Sequence, residues 1–294
     1  AETKTINVVS LINEAAWYLE RCGVPSPRYA SEELLRVVTG RERRSDLYCD
    51  EGAGIDDRDM LQKFHYALRR VGGGYPLQYV TGVQKIMDLI IAVRDGVFIP
   101  RPETELLAER VLALLRKGTY SSVRILDVGT GSGNIAISLA YYMPYARVVA
   151  VDRLPEACSV ARENAARYGV AERVAIRHSD WCSALCEGER FDCIISNPPY
   201  VSRDDYPNLP RDVRHEPREA LDGGADGLDF YRRTIAAGTP FLRDGGTMAF
   251  ELGLGQAAAV SRLMSTGGYG DIERYTDYAG IERIIIARKK QDNF

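Results

Sequence analysis

No apolar run in this 294-residue chain approaches the roughly 18 residues that a membrane-crossing helix needs, so no span is expected. The opening residues carry no charged-then-apolar leader pattern, and a cytoplasmic location is the expectation. Basic charge is not in excess either: 38 Lys and Arg face 41 Asp and Glu, for a formal net charge of −3. A nucleic-acid partner would therefore need a local patch, and no direct nucleic-acid binding is expected. The six cysteines are scattered through a mid-sized chain, unlike a secreted disulfide scaffold. His178, Cys182 and Cys186 recur at a four-residue spacing that would align ligands on a helix. Ser179-Asp180-Trp181 between them reads as a strand end and loop, and no fourth ligand is evident. No metal site is expected, and these thiols read as small buried residues. Internal repeats and low-complexity tracts are missing, and nothing resembles a dimerisation helix, so a monomer is expected.

What is present divides the chain in three. Residues 1–74 read as a small all-helical domain. Val8-Val9, Leu11-Ile12, Ala15-Ala16 and Leu19 form a stripe near helical period, closed by Gly23 and Pro25. A second helix is predicted over Ser31 to Val38, and a third, capped by Asp56 or Asp57, through Met60, Leu61, Phe64, Leu68 and Val71. Gly72-Gly73-Gly74 marks the boundary. Arg41, Arg43, Arg44, Arg69 and Arg70 read as a solvated face interleaved with acids rather than a phosphate patch. Residues 75–100 read as a β-hairpin linker, with Ile86 to Val93 as one strand and Asp95-Gly96 as the turn. From residue 101 a helix through Leu106, Leu107, Val111, Leu112 and Leu115 precedes regular alternation. Strands are expected at Val123–Val128, Arg147–Asp152, Arg173–His178, Phe191–Ser196 and Gly246–Leu252, with helices at Ile135–Tyr142 and Pro155–Tyr168. That pattern implies an α/β fold with a mainly parallel sheet. Asp271–Thr276 and Ile281–Arg288, joined at Asp277-Tyr278-Ala279-Gly280, would add a C-terminal antiparallel hairpin.

Asp127-Val128-Gly129-Thr130-Gly131-Ser132-Gly133 joins the first of those strands to its helix. Glycines there allow a tight turn and close approach of a ligand to the main chain. A dinucleotide cradle would continue as Gly-x-Gly-x-x-Gly, yet the last position falls on Asn134 or Ala136. The acidic Asp127 also suits an ammonium group better than a phosphate. Asp152 closes the next strand, where a carboxylate can accept from both ribose hydroxyls. Asp180-Trp181 follows the third, offering an acceptor for an exocyclic amine and a flat ring. Together these describe a nucleoside with an amino-acid tail and no phosphate, which S-adenosylmethionine fits.

The fourth strand ends in Asn197-Pro198-Pro199-Tyr200. Neither proline can donate to a ladder, and the first holds Asn197 extended. The loop offers an amide, a proline carbonyl and an aromatic face at the carboxyl end of a strand, where open α/β sheets place ligands. The Asn197 oxygen and the Pro198 carbonyl can both accept from a flat NH2 group, aiming its nitrogen lone pair at a sulfonium methyl, while Tyr200 packs on the acceptor. Adenine N6, guanine N2 and a glutamine side chain all present such a group.

Five separated motifs stand in order along the chain: Pro76-Leu77-Gln78-Tyr79-Val80-Thr81-Gly82, Phe98-Ile99-Pro100-Arg101-Pro102-Glu103-Thr104-Glu105, Asn197-Pro198-Pro199-Tyr200, Glu216-Pro217 with Leu221 through Leu228, and Phe230-Tyr231-Arg232. Together they resemble the HemK-type protein-(glutamine-N5) methyltransferases that act on peptide-chain release factors. The resemblance covers essentially the whole chain and implies a Rossmann-like S-adenosylmethionine-dependent sheet. It implies as substrate the glutamine of the Gly-Gly-Gln loop in class 1 release factors. It would make Gly129 to Gly133, Asp152, Trp181 and Asn197 cofactor contacts, and Asn197 through Tyr200 the glutamine site. Arg101 to Glu103 would lie near its mouth, and the helical domain would help to dock the release factor. Where such linkers are commonly aromatic and Gly-rich, this chain has Lys85-Ile86-Met87-Asp88-Leu89-Ile90-Ile91.

A sister enzyme acting on a large-subunit ribosomal protein is a nearby alternative, but its linker usually lacks the Arg-Pro-Glu-Thr-Glu run. A DNA or RNA amine methyltransferase would need a basic recognition domain, which the near-balanced charge does not supply. A non-catalytic module that kept the fold would have no use for Asp127, Asp152, Asn197 and Tyr200 together.

Overall fold

A computed structural model describes residues 6–49, 54–55, 57–118 and 121–291. The chain divides into two compact units, one running up to Val83 with Pro210–His215 added, the other holding Gln84–Leu209 and Glu216 onward.

In the first unit the short strand β1 (Ile6–Asn7) leads into helix α1 (Val8–Arg21), where Asn7 Oδ1 accepts from Val9 N at 2.9 Å and caps it. Helix α2 spans Pro27–Val38 and so begins earlier than the predicted Ser31. Proline is preorganised for a first helical position, and Ser31 donates back to the Pro27 carbonyl at 2.8 Å instead of capping. Strand β2 (Gly54–Ile55) pairs with β1, and α3 (Arg58–Gly72) starts from Asp57, whose carboxylate accepts from Asp59 N and Met60 N. Asp56, the other candidate cap, lies outside the described residues. Leu11, Ile12, Leu19, Leu34, Leu35, Phe64 and Leu68 close the core of this unit. Arg44 pairs with Glu32 and Glu33, as expected of a solvated, acid-matched face.

The linker departs from expectation. Residues Leu77–Thr81 form a short helix, α4, packed on the helical core through Leu77 and Val80. The hairpin that follows is β3 (Val83–Ile86) and β4 (Leu89–Ala92), turning at Met87-Asp88. Asp95-Gly96 makes a separate turn, closed by Val97 N donating to Arg94 O. Met87 takes the left-handed conformation, φ 52°, in the middle of a nearly continuous apolar run, which hid the break. Ile86, Leu89 and Ile91 are buried, so aliphatic side chains fill this hairpin.

The second unit begins its alternation with α5 (Pro102–Arg116), β5 (Val123–Val128), α6 (Asn134–Tyr142), β6 (Ala146–Asp152), α7 (Pro155–Arg167), β7 (Val174–His178) and β8 (Phe191–Ser196). It closes with α8 (Asp229–Gly238), β9 (Leu242–Glu251), α9 (Ala257–Thr266), β10 (Tyr269–Thr276) and β11 (Glu282–Lys289). The seven-stranded sheet has the order β10-β11-β9-β8-β5-β6-β7, parallel except for β11, which runs antiparallel to both neighbours. The predicted parallel sheet and inserted antiparallel strand are both present. Strand order reverses between β5 and β8, which opens a crevice at their carboxyl ends.

The hairpin docks on α7 through Asn164, which accepts from Ala92 N at 2.8 Å and donates to Ala92 O at 3.0 Å. A second donation to Ser132 O at 2.9 Å ties the same side chain to the glycine turn. Cys158, Cys182 and Cys193 are buried as expected, whereas Cys22, Cys49 and Cys186 are exposed. Among the described residues no helix is long and apolar enough to cross a membrane.

Candidate active site

The crevice holds a cleft with an empty volume of about 940 Å3. Its floor is the turn after β5, with Gly129, Thr130 and Gly131 lining it, and Asp152 at the end of β6 beside them. Asp152 is mostly buried. Its Oδ2 accepts from Gly131 N at 2.8 Å and its Oδ1 from Leu154 N at 2.9 Å. Burial raises its carboxyl pKa, and those backbone donors offset only part of the rise.

Trp181 lines the far side in a left-handed conformation, φ 52°. Its indole N–H donates to Thr234 Oγ1 at 3.2 Å, Phe230 lies against it at 4.9 Å, and the Arg233 guanidinium covers its ring at 3.4 Å. Three contacts fix a flat surface, and Phe230, which the sequence reading did not assign, lines the cleft beside it.

Asn197, Pro198, Pro199 and Tyr200 line the same cleft. Asn197 Nδ2 donates to Thr104 Oγ1 at 3.0 Å, and Thr104 donates to Glu251 Oε2 at 2.7 Å. Tyr200 OH reaches the other oxygen, Glu251 Oε1, at 3.4 Å. A single buried carboxylate thus holds both ends of the tetrapeptide. Burial, with Glu103 nearby, pushes Glu251 up to about 7, against the hydrogen bonds from Thr104 and Tyr200. The Tyr200 phenol is pushed far above its ordinary range by burial and by Glu251.

The Leu221–Leu228 loop presses on Tyr200 from outside. Gly227 is left-handed, φ 75°, and a Cβ there would come within 2.5 Å of the Tyr200 carbonyl oxygen. Gln256 donates to that carbonyl at 2.9 Å.

The remaining predicted residues sit behind or beside the cleft. Asp127 is fully buried beneath the turn, accepting from Thr130 Oγ1 at 2.6 Å, with Oδ1 unpartnered. Burial, and then Asp152 nearby, push it up to about 7. Ser132 and Gly133 do not line the cleft; they lead into α6. Asp180 is not among the residues that line the cleft, although Ser179 and Trp181 on either side of it are, and its exposed carboxylate lies 3.7 Å from Arg233. Arg101 pairs with buried Glu216 and sits 5.4 Å from the ring of Phe98, which does line the cleft; Glu103 lies in the first turn of α5.

Sequence reasoning missed Thr104 and Glu251 as site residues. Thr104 lay inside a quoted motif without a role. Glu251 had a legible signal, an acid at the carboxyl end of an apolar strand, Met248-Ala249-Phe250-Glu251.

A parallel sheet with this order, a glycine turn and carboxylate at its switch point and an Asn-Pro-Pro-Tyr loop opposite are the fold and site of an α/β methyltransferase. The family model described as "Methyltransferase small domain" matches residues 102–225, and "PrmC N-terminal domain" matches residues 10–82. A release factor glutamine methyltransferase of Moorella thermoacetica is 45% identical over 285 residues, covering 96% of this chain and 98% of the relative. The Escherichia coli protein of that description is 39% identical, covering 90% and 94%. The chain belongs to the release factor glutamine methyltransferase family. A solved 16S rRNA N2 G1207 methyltransferase of T. thermophilus, in complex with AdoMet and guanosine, shares the fold with a TM-score of 0.52 and 20% identity, covering 71% of this chain and 50% of that one.

Proposed function

We propose that the chain transfers a methyl group from S-adenosylmethionine to the side-chain amide nitrogen, N5, of the glutamine in the Gly-Gly-Gln motif of class 1 peptide-chain release factors. One observation carries the reading: Asn197 through Tyr200 line the same cleft as Gly129–Gly131, Asp152 and Trp181. Full-length kinship to relatives described as release factor glutamine methyltransferases supports the choice of acceptor.

The residues fit the cofactor. Asp152 offers a carboxylate for ribose hydroxyls, Trp181 and Phe230 offer a fixed aromatic wall, and the turn lacks the third glycine of a pyrophosphate cradle. When bound, the cofactor supplies an electrophilic methyl group on a sulfonium. Asn197 Oδ1 and the Pro198 carbonyl accept from the glutamine NH2, orienting its nitrogen and opposing delocalisation of its lone pair. Tyr200 flanks the flat amide. A neutral Asn suffices, because the methylated nitrogen releases its extra proton after transfer. The helical unit would help to dock the release factor in the cytoplasm.

The test is methyl transfer from labelled S-adenosylmethionine to a purified class 1 release factor, beside its Gly-Gly-Gln variant with glutamine replaced by alanine. Label on the unaltered factor alone is the expected result. Label on neither, with cofactor binding intact, would redirect attention to ribosomal protein and nucleic-acid acceptors.

A further inference from the structure

Asn197 can serve a methyl acceptor only if its carbonyl end, not its NH2 end, is free for the cleft. An amide side chain has two ends of nearly equal shape, so something must choose between them. In this structure Nδ2 is spent on Thr104, and Oδ1 has no partner among the described residues.

The choice follows from chemistry two residues away. Glu251 as a carboxylate can only accept, so the Thr104 hydroxyl must give its one proton to Oε2. Thr104 Oγ1 is left with lone pairs alone, and the amide end that can meet them is NH2. The chain of bonds therefore has a direction, from Asn197 through Thr104 to Glu251. Protonation of Glu251 would let the hydroxyl turn round and donate towards Asn197, favouring the flipped amide.

We infer that Glu251, acting through the Thr104 hydroxyl, sets which end of the Asn197 amide faces the cleft, and is thus a positioning residue for the methyl acceptor. This rests on the methyl-transfer reading above. The groups around Glu251 suit such a role. Glu103 on α5 works against its charge, Arg283 on β11 and the Tyr200 hydroxyl favour it, and Tyr231 on α8 donates to its backbone carbonyl at 2.9 Å. With its carboxyl pushed up to about 7, the orienting charge is present above neutrality and lost below it.

The experiment measures kcat against pH from 5.5 to 8.5 for the wild type, E251Q, T104V and T104S, with the cofactor Kd for each. Wild-type kcat should fall about tenfold per pH unit on the acid side of neutrality. E251Q cannot titrate and should lose that limb, whatever its level of activity. Burial makes the Glu251 charge a cost to the folded state, so its neutral isostere should fold. Asp127 titrates in the same range, so the readout is the difference that E251Q makes. T104V should lower kcat by about 100-fold with the cofactor Kd within about twofold, and T104S should restore it. A wild-type profile flat across neutrality, an E251Q limb like the wild type's, or T104V with undiminished kcat would each overturn the inference. If T104V does not fold, E251Q decides alone. Failure of wild-type methyl transfer would instead overturn the methyl-transfer reading itself.

Discussion

Asp152 and Gly131 are bound to each other across the floor of the cleft: the Gly131 N–H donates to Asp152 Oδ2 at 2.8 Å, from the turn after β5 to the end of β6. The carboxylate that would receive the ribose also braces the glycine turn beneath it. Asp152→Ala should therefore weaken cofactor binding at least tenfold, since hydrogen bonds to a charged group contribute about 1.5–3 kcal/mol each. Calorimetric titration with S-adenosylmethionine checks this, and an unchanged affinity would count against the ribose assignment.

Asn197→Ala removes the acceptor oxygen but leaves Asp152 and Trp181 in place. Turnover should drop by about 10³, in the range seen when a single preorganised hydrogen-bonding group at a reacting centre is deleted. Thermal stability should stay close to wild type. Near-normal turnover in this variant would remove Asn197 from the mechanism.

Asp127 and Glu251 are buried carboxyls pushed up to about 7. In the unfolded chain such groups titrate near 4. Between those values the unfolded state has released protons that the folded state keeps, so rising pH favours unfolding. The stability they contribute is full below about 4 and lost as pH rises through about 7. Asp127→Asn removes one of the two titrations, so its melting temperature should gain on the wild type's between pH 5 and pH 8. Carboxylates held low by ion pairs, such as Asp226 beside Arg232, contribute with the opposite sign and cancel in that comparison. Parallel melting curves for the two proteins would refute this account if they keep the same spacing at every pH.

Gly133 is left-handed, φ 82°, and a Cβ would lie 2.9 Å from Ile137 Cδ1 and 3.0 Å from Ala161 Cβ. The missing side chain lets α6 pack closely on α7 at this point. Gly133→Ala combines backbone strain with overpacking and should cost about 2–3 kcal/mol, read from denaturant unfolding. A loss below about 0.5 kcal/mol would show that the helices part without penalty.

Much of this protein was legible from order along the chain. Alternating apolar strands and helices are local patterns, and they gave the parallel sheet, the inserted antiparallel strand and the four strand ends that carry Gly129–Gly131, Asp152, Trp181 and Asn197. Short-range chemistry was less secure where an unusual residue took an unusual conformation. Met87 in the left-handed region split one expected strand into a hairpin, because the fold buries Ile86, Leu89 and Ile91 on either side of it.

Which side chains stand at the carboxyl ends of strands is readable along the chain, since period and punctuation are properties of sequence neighbours. Which of them line the cleft depends on long-range packing. Asp127 is buried beneath its own turn and Asp180 is exposed beside Arg233, though each adjoins a residue that lines the site. Thr104, Asn197 and Glu251 are separated by 93 residues in one step and 147 in the other. Their partnership is set where α5, β9 and the loop after β8 meet, a property of packing that no local pattern encodes.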